Sequence, residues 1–305
     1  LRDHPLFSAY AALTAVCFFW GTTYLAIRIA LESIPPTVLM ASRFCLSGSL
    51  MLVAARAMGM HLPRGRELVW SAIHGVLILG VGNGCLTYAE LLIPSSLAAL
   101  FIAASPFWMV GLEALAPGGE RLKAITVAGM LLGLSGAAIL VGPSLFREGS
   151  AGFGQGSNIW KGFLILQLGS MSWGFGSILS RRHVTRAHPI VSGAVQQLAA
   201  GLVFAVPALI SRPKPLVWDW PGIGALLWLV FFGSIVGYSA YLFALDRLPV
   251  ALVSIYTYVN PIVAAFLGWL FYREPFGRRE ALAMAVIFIG VAVVKQFNKG
   301  PRKGR

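Results

Sequence analysis

The chain has 305 residues, of which 57% are hydrophobic and only 11% charged, with a formal net charge of +13. Soluble domains carry about 25% charged residues, so a chain this apolar cannot cover its surface for water, and lipid is the alternative solvent. The basic excess does not indicate nucleic acid, because Lys and Arg fall in short connections and in the tail "KQFNKGPRKGR", where lipid headgroups meet them.

Along the chain, ten apolar runs reach the roughly 20 residues that a bilayer-crossing helix needs. They are predicted at 8–31, 36–58, 67–92, 94–115, 121–141, 159–181, 188–211, 222–246, 249–271 and 278–296. The first reads as a span, being too long for a cleaved leader and lacking a small-residue cleavage site. Turn chemistry separates the runs: "IPPT", "HLPRGR", "APGGE", "SRPKP" and "REPFG". Abundant Gly and Ala let helix backbones approach closely in lipid. The longest connection, "GPSLFREGSAGFGQGSN", predicts a boundary between a unit at 1–150 and a second at 151–305.

With the N-terminus cytoplasmic, that side receives 15 Lys and Arg and the other side 7, Arg28 and Arg43 lying within spans. The positive-inside bias therefore predicts both termini in the cytoplasm. The connection after the ninth span, with Arg273, Arg278 and Arg279, opposes that vote. Cys17, Cys45 and Cys85 all lie in apolar runs without metal-like spacing and read as packing residues.

The segments "CFFWGTTYLAIR" at 17–28 and "SMSWGFGSILSR" at 170–181 share Trp-Gly and Arg at a displacement of 153. Pro36 and Pro189 keep that displacement, and "VGNGCLTYAELLIP" (81–94) matches "VGYSAYLFALDRLP" (236–249) at 155. Pro94 and Pro106 then pair with Pro249 and Pro261, and "GERL" loosely with "REPF". A collinear series of this kind means two copies. Five spans per copy is an odd number, so the second copy enters the membrane inverted. The fold class is all-α integral membrane, ten helices in two inverted five-helix repeats, an architecture typical of secondary transporters with a midplane site.

On these residues the chain, over roughly 8–296, resembles the EamA-type drug/metabolite transporter superfamily: "FWG" and "SWG" in spans 1 and 6, "ASP" and "VNP" in spans 4 and 9. Within it, the chain looks most similar to the bacterial exporters of aromatic amino acids. The resemblance implies outward movement of amino acids or other small organic molecules across the cytoplasmic membrane by alternating access, without fixing the cargo.

Candidate contacts follow from depth and helical spacing. Trp20 and Trp173 are too deep for interfacial anchors and are expected to flank the cargo with flat apolar area and an indole donor, although helix packing also accounts for them. Tyr24 shares the Trp20 face and Ser177 the Trp173 face. His74 is the ionisable side chain placed well inside a span, able to bond a carboxylate or titrate near neutrality, or simply to meet a helix carbonyl. Tyr88, 14 residues on, shares its face. Asn83 sits in bendable "GVGNG"; Phe101 and Trp108 lie on one face of span 4; Tyr238 and Tyr241 share a face, as do Tyr256 and Asn260. Gly21, Gly174, Pro106 and Pro261 are candidate hinges. Arg28, Arg43 and Glu90, toward the far ends of their spans, form a candidate ion-pair gate or snorkel to headgroups.

No carboxylate is placed in the central third of a span, and the midplane is expected to lack Lys and Arg. That favours neutral or zwitterionic cargo over cationic drugs, and over nucleotide sugars or sugar phosphates, which remain alternatives with other drugs and metabolites. Nothing forms a clustered nucleophile, a metal set, HExxH, GxSxG or a Walker loop, so a membrane enzyme, a cofactor and an ATP-hydrolysing partner are not expected. The partners predicted are a small-molecule substrate and membrane lipid.

Overall fold

The computed structural model describes residues 7–116, 122–146, 158–183, 187–210, 219–248, 253 and 255–297, and all regular structure among them is helical. Seven helices are long and apolar enough to cross a membrane: Phe7–Ala30, Pro36–Ala57, Arg66–Ala89, Ser95–Leu115, Ile159–Ser180, Pro189–Ile210 and Trp220–Ala244. Ala124–Phe146, Tyr256–Tyr272 and Arg278–Phe297 occupy the remaining predicted positions. These ten helices are spans 1 to 10. The predicted unit boundary at 150 and the predicted start of span 9 lie outside the described residues.

Local chemistry sets the helix starts. Proline stands in the first turn of spans 2 and 8, where its missing N–H is no loss. Asp219 caps span 8 by accepting from the Gly222 N–H at 2.8 Å. Span 9 stops at Arg273, whose φ of 51° is left-handed.

The packing is that of two exchanged copies. Span 2 packs on span 7 and span 5 on span 10; span 1 lies against spans 8 and 9, while span 6 lies against spans 3 and 4. Each pairing maps onto itself or onto another when first-half spans are exchanged for second-half ones. Gly48 and Gly201, 153 residues apart, hold spans 2 and 7 together. A Cβ on Gly48 would sit 2.6 Å from the Leu198 backbone nitrogen, and one on Gly201 2.6 Å from that of Cys45. Only glycine permits backbones this close.

Two departures from a regular α-helix stand near the centre of the bundle, the second at the candidate hinge Pro106. Span 3 widens into a π-helix over Val76–Asn83 and span 8 over Leu229–Val236, again displaced by 153. Span 4 is not continuous: Ser95–Ile102 ends, and Ser105–Leu115 restarts with Pro106 in its first turn. Proline there removes a donor and clashes with a continued α-helix, which makes the break.

Candidate functional site

A cavity with about 1030 Å³ of empty space, part of it continuous with the surroundings, lies among spans 1, 2, 3, 4, 6, 7, 8 and 9. The contacts expected from sequence lie on spans 1, 3, 4, 6, 8 and 9; Arg43, Phe44 and Gln197 add spans 2 and 7 to the wall. Both π-helices contribute, Leu79, Gly82 and Asn83 from one and Gly233 and Ser234 from the other. The wide π turn shifts the phase of side chains beyond it, a common device at functional sites.

Of the expected contacts, Trp20, Tyr24, Asn83, Trp173, Tyr238, Tyr256 and Asn260 line this space, with Pro261 from the hinge set. One side is an aromatic cluster. Trp20 lies 5.1 Å from both Tyr241 and Tyr256, the latter edge-on, and Tyr241 is 6.3 Å from Tyr238. Tyr241 is thus behind the wall, supporting Trp20. The two tryptophans are not equivalent. The Trp20 indole N–H donates to the Gly233 carbonyl at 3.0 Å, so its donor is already used. Trp173 lies in the wall with its indole nitrogen unbonded among the described residues. In the orientation its neighbours require, the Asn260 amide donates to the Cys17 and Tyr256 carbonyls at 3.1 Å, tying span 9 to span 1.

The polar side of the wall corrects the expectation of a midplane without Lys or Arg. Arg43 is 5% exposed, and its guanidinium borders the cavity. Its Nε donates to Ser234 Oγ at 3.0 Å, it lies 4.8 Å over the Phe44 ring, and its Nη1 has no hydrogen-bond partner. Gln197 stands beside it, accepting from Ser47 and donating to Met51 Sδ at 3.2 Å and toward the Ser234 carbonyl at 3.5 Å. Gln197 and Ser234 were not singled out from sequence. An amide deep in span 7 was a legible signal.

Other expected contacts fall outside the wall. His74 is buried in a separate stack, 6.1 Å from Trp70 and 6.5 Å from His183, which itself lies 3.6 Å from Trp70. Tyr88 is 39% exposed on the outside of the bundle; the π turn between it and His74 breaks the shared face. Phe101 is buried 5.2 Å from Phe163. Trp108 donates to Gln167 at 2.8 Å, beyond the break that separates it from Phe101. Ser177 bonds the Trp173 carbonyl of its own helix at 2.7 Å. Gly21 lets span 9 close onto span 1, since a Cβ there would lie 2.6 Å from Val263 Cβ; at Gly174 the nearest atom would be 3.4 Å away.

The face at which Phe7 and Phe297 stand is the terminal face, and the opposite one is distal. At the distal face Glu274, Tyr272 and Ser33 take part in hydrogen bonds that join the halves. Glu274 accepts from Ser95 N–H, Ser95 Oγ and Ser96 N–H, each at 2.9 Å. Tyr272 donates to Glu32 at 2.6 Å and Ser33 to Asp219 at 2.8 Å. The expected Arg28–Arg43–Glu90 cluster takes a different form: Arg28 Nη1 donates to the Glu90 backbone carbonyl at 2.7 Å, and neither Glu90 side-chain oxygen has a hydrogen-bond partner. At the terminal face Glu67 accepts from the Ala187 N–H at 2.7 Å. Among the described residues no group of His, Cys, Asp and Glu is arranged to hold a metal ion.

A family model described as "EamA-like transporter family" matches residues 7–142 and again 160–295. The chain belongs to the EamA-like transporter family. The two matched segments are displaced by 153, as are the tryptophans and the π-helices. Among EamA-like relatives, the uncharacterized inner membrane transporter YedA of Escherichia coli (strain K12) is 34% identical, covering 96% of this chain and 92% of that protein. The aromatic amino acid exporter YddG of Ancylobacter novellus is 29% identical over 90% of this chain and 92% of its own. A probable terminal-alkyne amino-acid exporter of Streptantibioticus cattleyicolor is 25% identical over 98% and 97%. A solved crystal structure superposes with a TM-score of 0.65 at 27% identity, covering 94% of this chain and 96% of that one. This EamA-like chain is therefore a multi-pass membrane transporter of small molecules.

Proposed function

We propose that the chain exports amino acids, aromatic and other neutral ones, across the bacterial cytoplasmic membrane by alternating access, with both termini inside. The observation that carries this reading is the buried Arg43, which has an unbonded Nη1 and stands in the lining of a cavity that also presents the rings of Trp20, Trp173 and Tyr256. A charge held this deep is costly and is retained where it meets a partner. A carboxylate is the partner a planar guanidinium fits, and two hydrogen bonds to it are charge-assisted. Trp173 offers a ring face and a free indole donor to the remainder of the cargo. One guanidinium suits one carboxylate; a nucleotide diphosphate brings more negative charge than this wall answers. Two relatives carry amino-acid export in their names, which supports the same class. The unit boundary at 150 fits the gap between the two matched segments, and the positive-inside count supports the orientation.

Counterflow of labelled phenylalanine into proteoliposomes tests this. Uptake is expected in wild type, and Arg43→Gln is expected to raise the half-saturation concentration by about 10–100-fold, the loss of a charge-assisted bond. Absence of phenylalanine and tryptophan counterflow in folded protein, with uptake of another carboxylate, would move the cargo class.

A further inference from the structure

We propose that Glu90 is a proton-binding site whose occupancy is linked to closure of the distal mouth. Glu90 stands one residue past the helix Arg66–Ala89. It is 0% exposed, and neither carboxylate oxygen has a hydrogen-bond partner. Its backbone is held, because the Glu90 carbonyl accepts from Arg28. The ionisable groups within electrostatic reach are Tyr24 and Arg28 of span 1, Arg43 of span 2 and Glu274 beyond span 9. Lys161 of span 6 is exposed and turned over the Trp160 ring at 5.7 Å.

Two buried carboxyl groups therefore share one neighbourhood and are treated differently. Glu274 accepts three hydrogen bonds at the start of span 4, two of them from backbone N–H groups. Both Glu274 oxygens are therefore met by donors. Glu90 has burial and a neighbouring like charge, with no donor on either oxygen. Both favour the protonated form, against which the two arginines act only at a distance, since neither makes a hydrogen bond to the carboxylate. When two carboxyls differ this way, the proton resides on the one without donors. In the structure as it stands, that is Glu90.

The link to motion follows from what buries the residue. The distal end is shut by Glu274 on Ser95 and Ser96, Tyr272 on Glu32, and Ser33 on Asp219, each bond crossing between the halves. Opening that end breaks these bonds and admits water to the Glu90 carboxyl, which then ionises. The closed mouth binds the proton and the open mouth releases it. Acid therefore favours closure and alkali favours opening. With the distal face outside, which rests on the orientation proposed above, the proton taken up on closure comes from the side to which cargo leaves. The linkage itself requires neither that orientation nor any cargo.

The test needs no substrate. Spin labels are placed on cysteines at Leu91 and Phe276, both 41% exposed near the distal face, in the full chain with Cys17, Cys45 and Cys85 replaced by alanine, in a phosphatidylethanolamine–phosphatidylglycerol bilayer. The interspin distance is followed from about pH 5 to about pH 9, a range that spans a shifted carboxyl. The distance is expected to lengthen reversibly with pH, the open population rising by up to about tenfold per pH unit, as one proton dictates. Glu90→Gln, which mimics the neutral acid, is expected to hold the short distance throughout. Glu274→Gln is expected to lengthen the distance at every pH. Infrared difference spectra of wild type are expected to show a protonated carboxyl band at low pH that Glu90→Gln lacks. A wild-type distance that ignores pH, a pH response that survives Glu90→Gln, or no Glu90-dependent carboxyl band would each overturn the proposal. The wild-type arm decides even if the variant fails to fold. Loss of phenylalanine counterflow with the pH response intact would remove the cargo reading and leave this one standing.

Discussion

The indole N–H of Trp20 donates to the carbonyl of Gly233 at 3.0 Å, joining span 1 to the π-helical part of span 8. In a π-helix the carbonyls are not all satisfied along the helix, and this one is met by a side chain from the other half. Trp173, its repeat partner, makes no such bond and lies along Gly82, where a Cβ would approach the ring to 3.0 Å. One tryptophan is thus a strut and the other a wall. Trp20→Phe is expected to lower stability by about 1 kcal/mol, the net worth of one bond, read as a fall in the melting temperature of purified protein. Trp173→Phe is expected to leave melting unchanged and to raise the half-saturation concentration in counterflow. Equal melting of the two variants would remove the distinction.

The helix crossings give a second pair. Gly21 and Gly174 occupy equivalent positions, yet only Gly21 is pressed against its neighbour, Val263. Overpacking a filled crossing costs about 1–3 kcal/mol. Gly21→Ala is expected to lower the apparent melting temperature clearly, while Gly174→Ala is expected to be close to neutral. Size-exclusion profiles after graded heating read both.

Much of this architecture was legible because membrane segments obey few rules. Apolar length alone fixed where the ten spans lie, and an odd number of spans in each copy forced the inversion. The Trp-Gly displacement of 153 revealed the repeat, but not that Gly21 is where span 9 closes onto span 1. The π turns were not legible. The phase shift of the one in span 3 is what separates Tyr88 from the cavity. Arg43 was placed by its distance from a helix end, which says nothing about reach. A long side chain on span 2 instead turns inward to Ser234, and a charge expected at a gate stands in the wall. Gln197 was not singled out, although a buried amide demands hydrogen-bond partners and finds them in Ser47 and Met51.

Asp219 serves two bonds, capping span 8 through Gly222 N–H and accepting from Ser33 of the other half. Losing an N-cap costs about 1 kcal/mol, so Asp219→Ala is expected to lower the melting temperature. Asp219→Asn retains an acceptor oxygen and is expected to restore most of the loss. Ser33→Ala removes the bond between the halves while leaving the cap, and is expected to affect melting less than Asp219→Ala. An equal fall in both variants would place the stabilisation in the interhalf bond instead.

His74 carries the last prediction, because it was expected to bind cargo and stands outside the cavity wall. The ring is 2% exposed, packed near Trp70 and His183, and absent from the cavity wall. Its Nε2 has no hydrogen-bond partner. An imidazole packed beside Trp70 and His183 contributes mainly area. His74→Phe removes the polar atom while keeping the ring, and it is expected to change the half-saturation concentration in counterflow by less than about twofold, well below the effect of losing a bond. The same variant is expected to keep the pH response of the distal mouth, since that response is assigned to Glu90. A loss of transport comparable to Arg43→Gln would return His74 to the cargo path and require a second arrangement of spans 3 and 6.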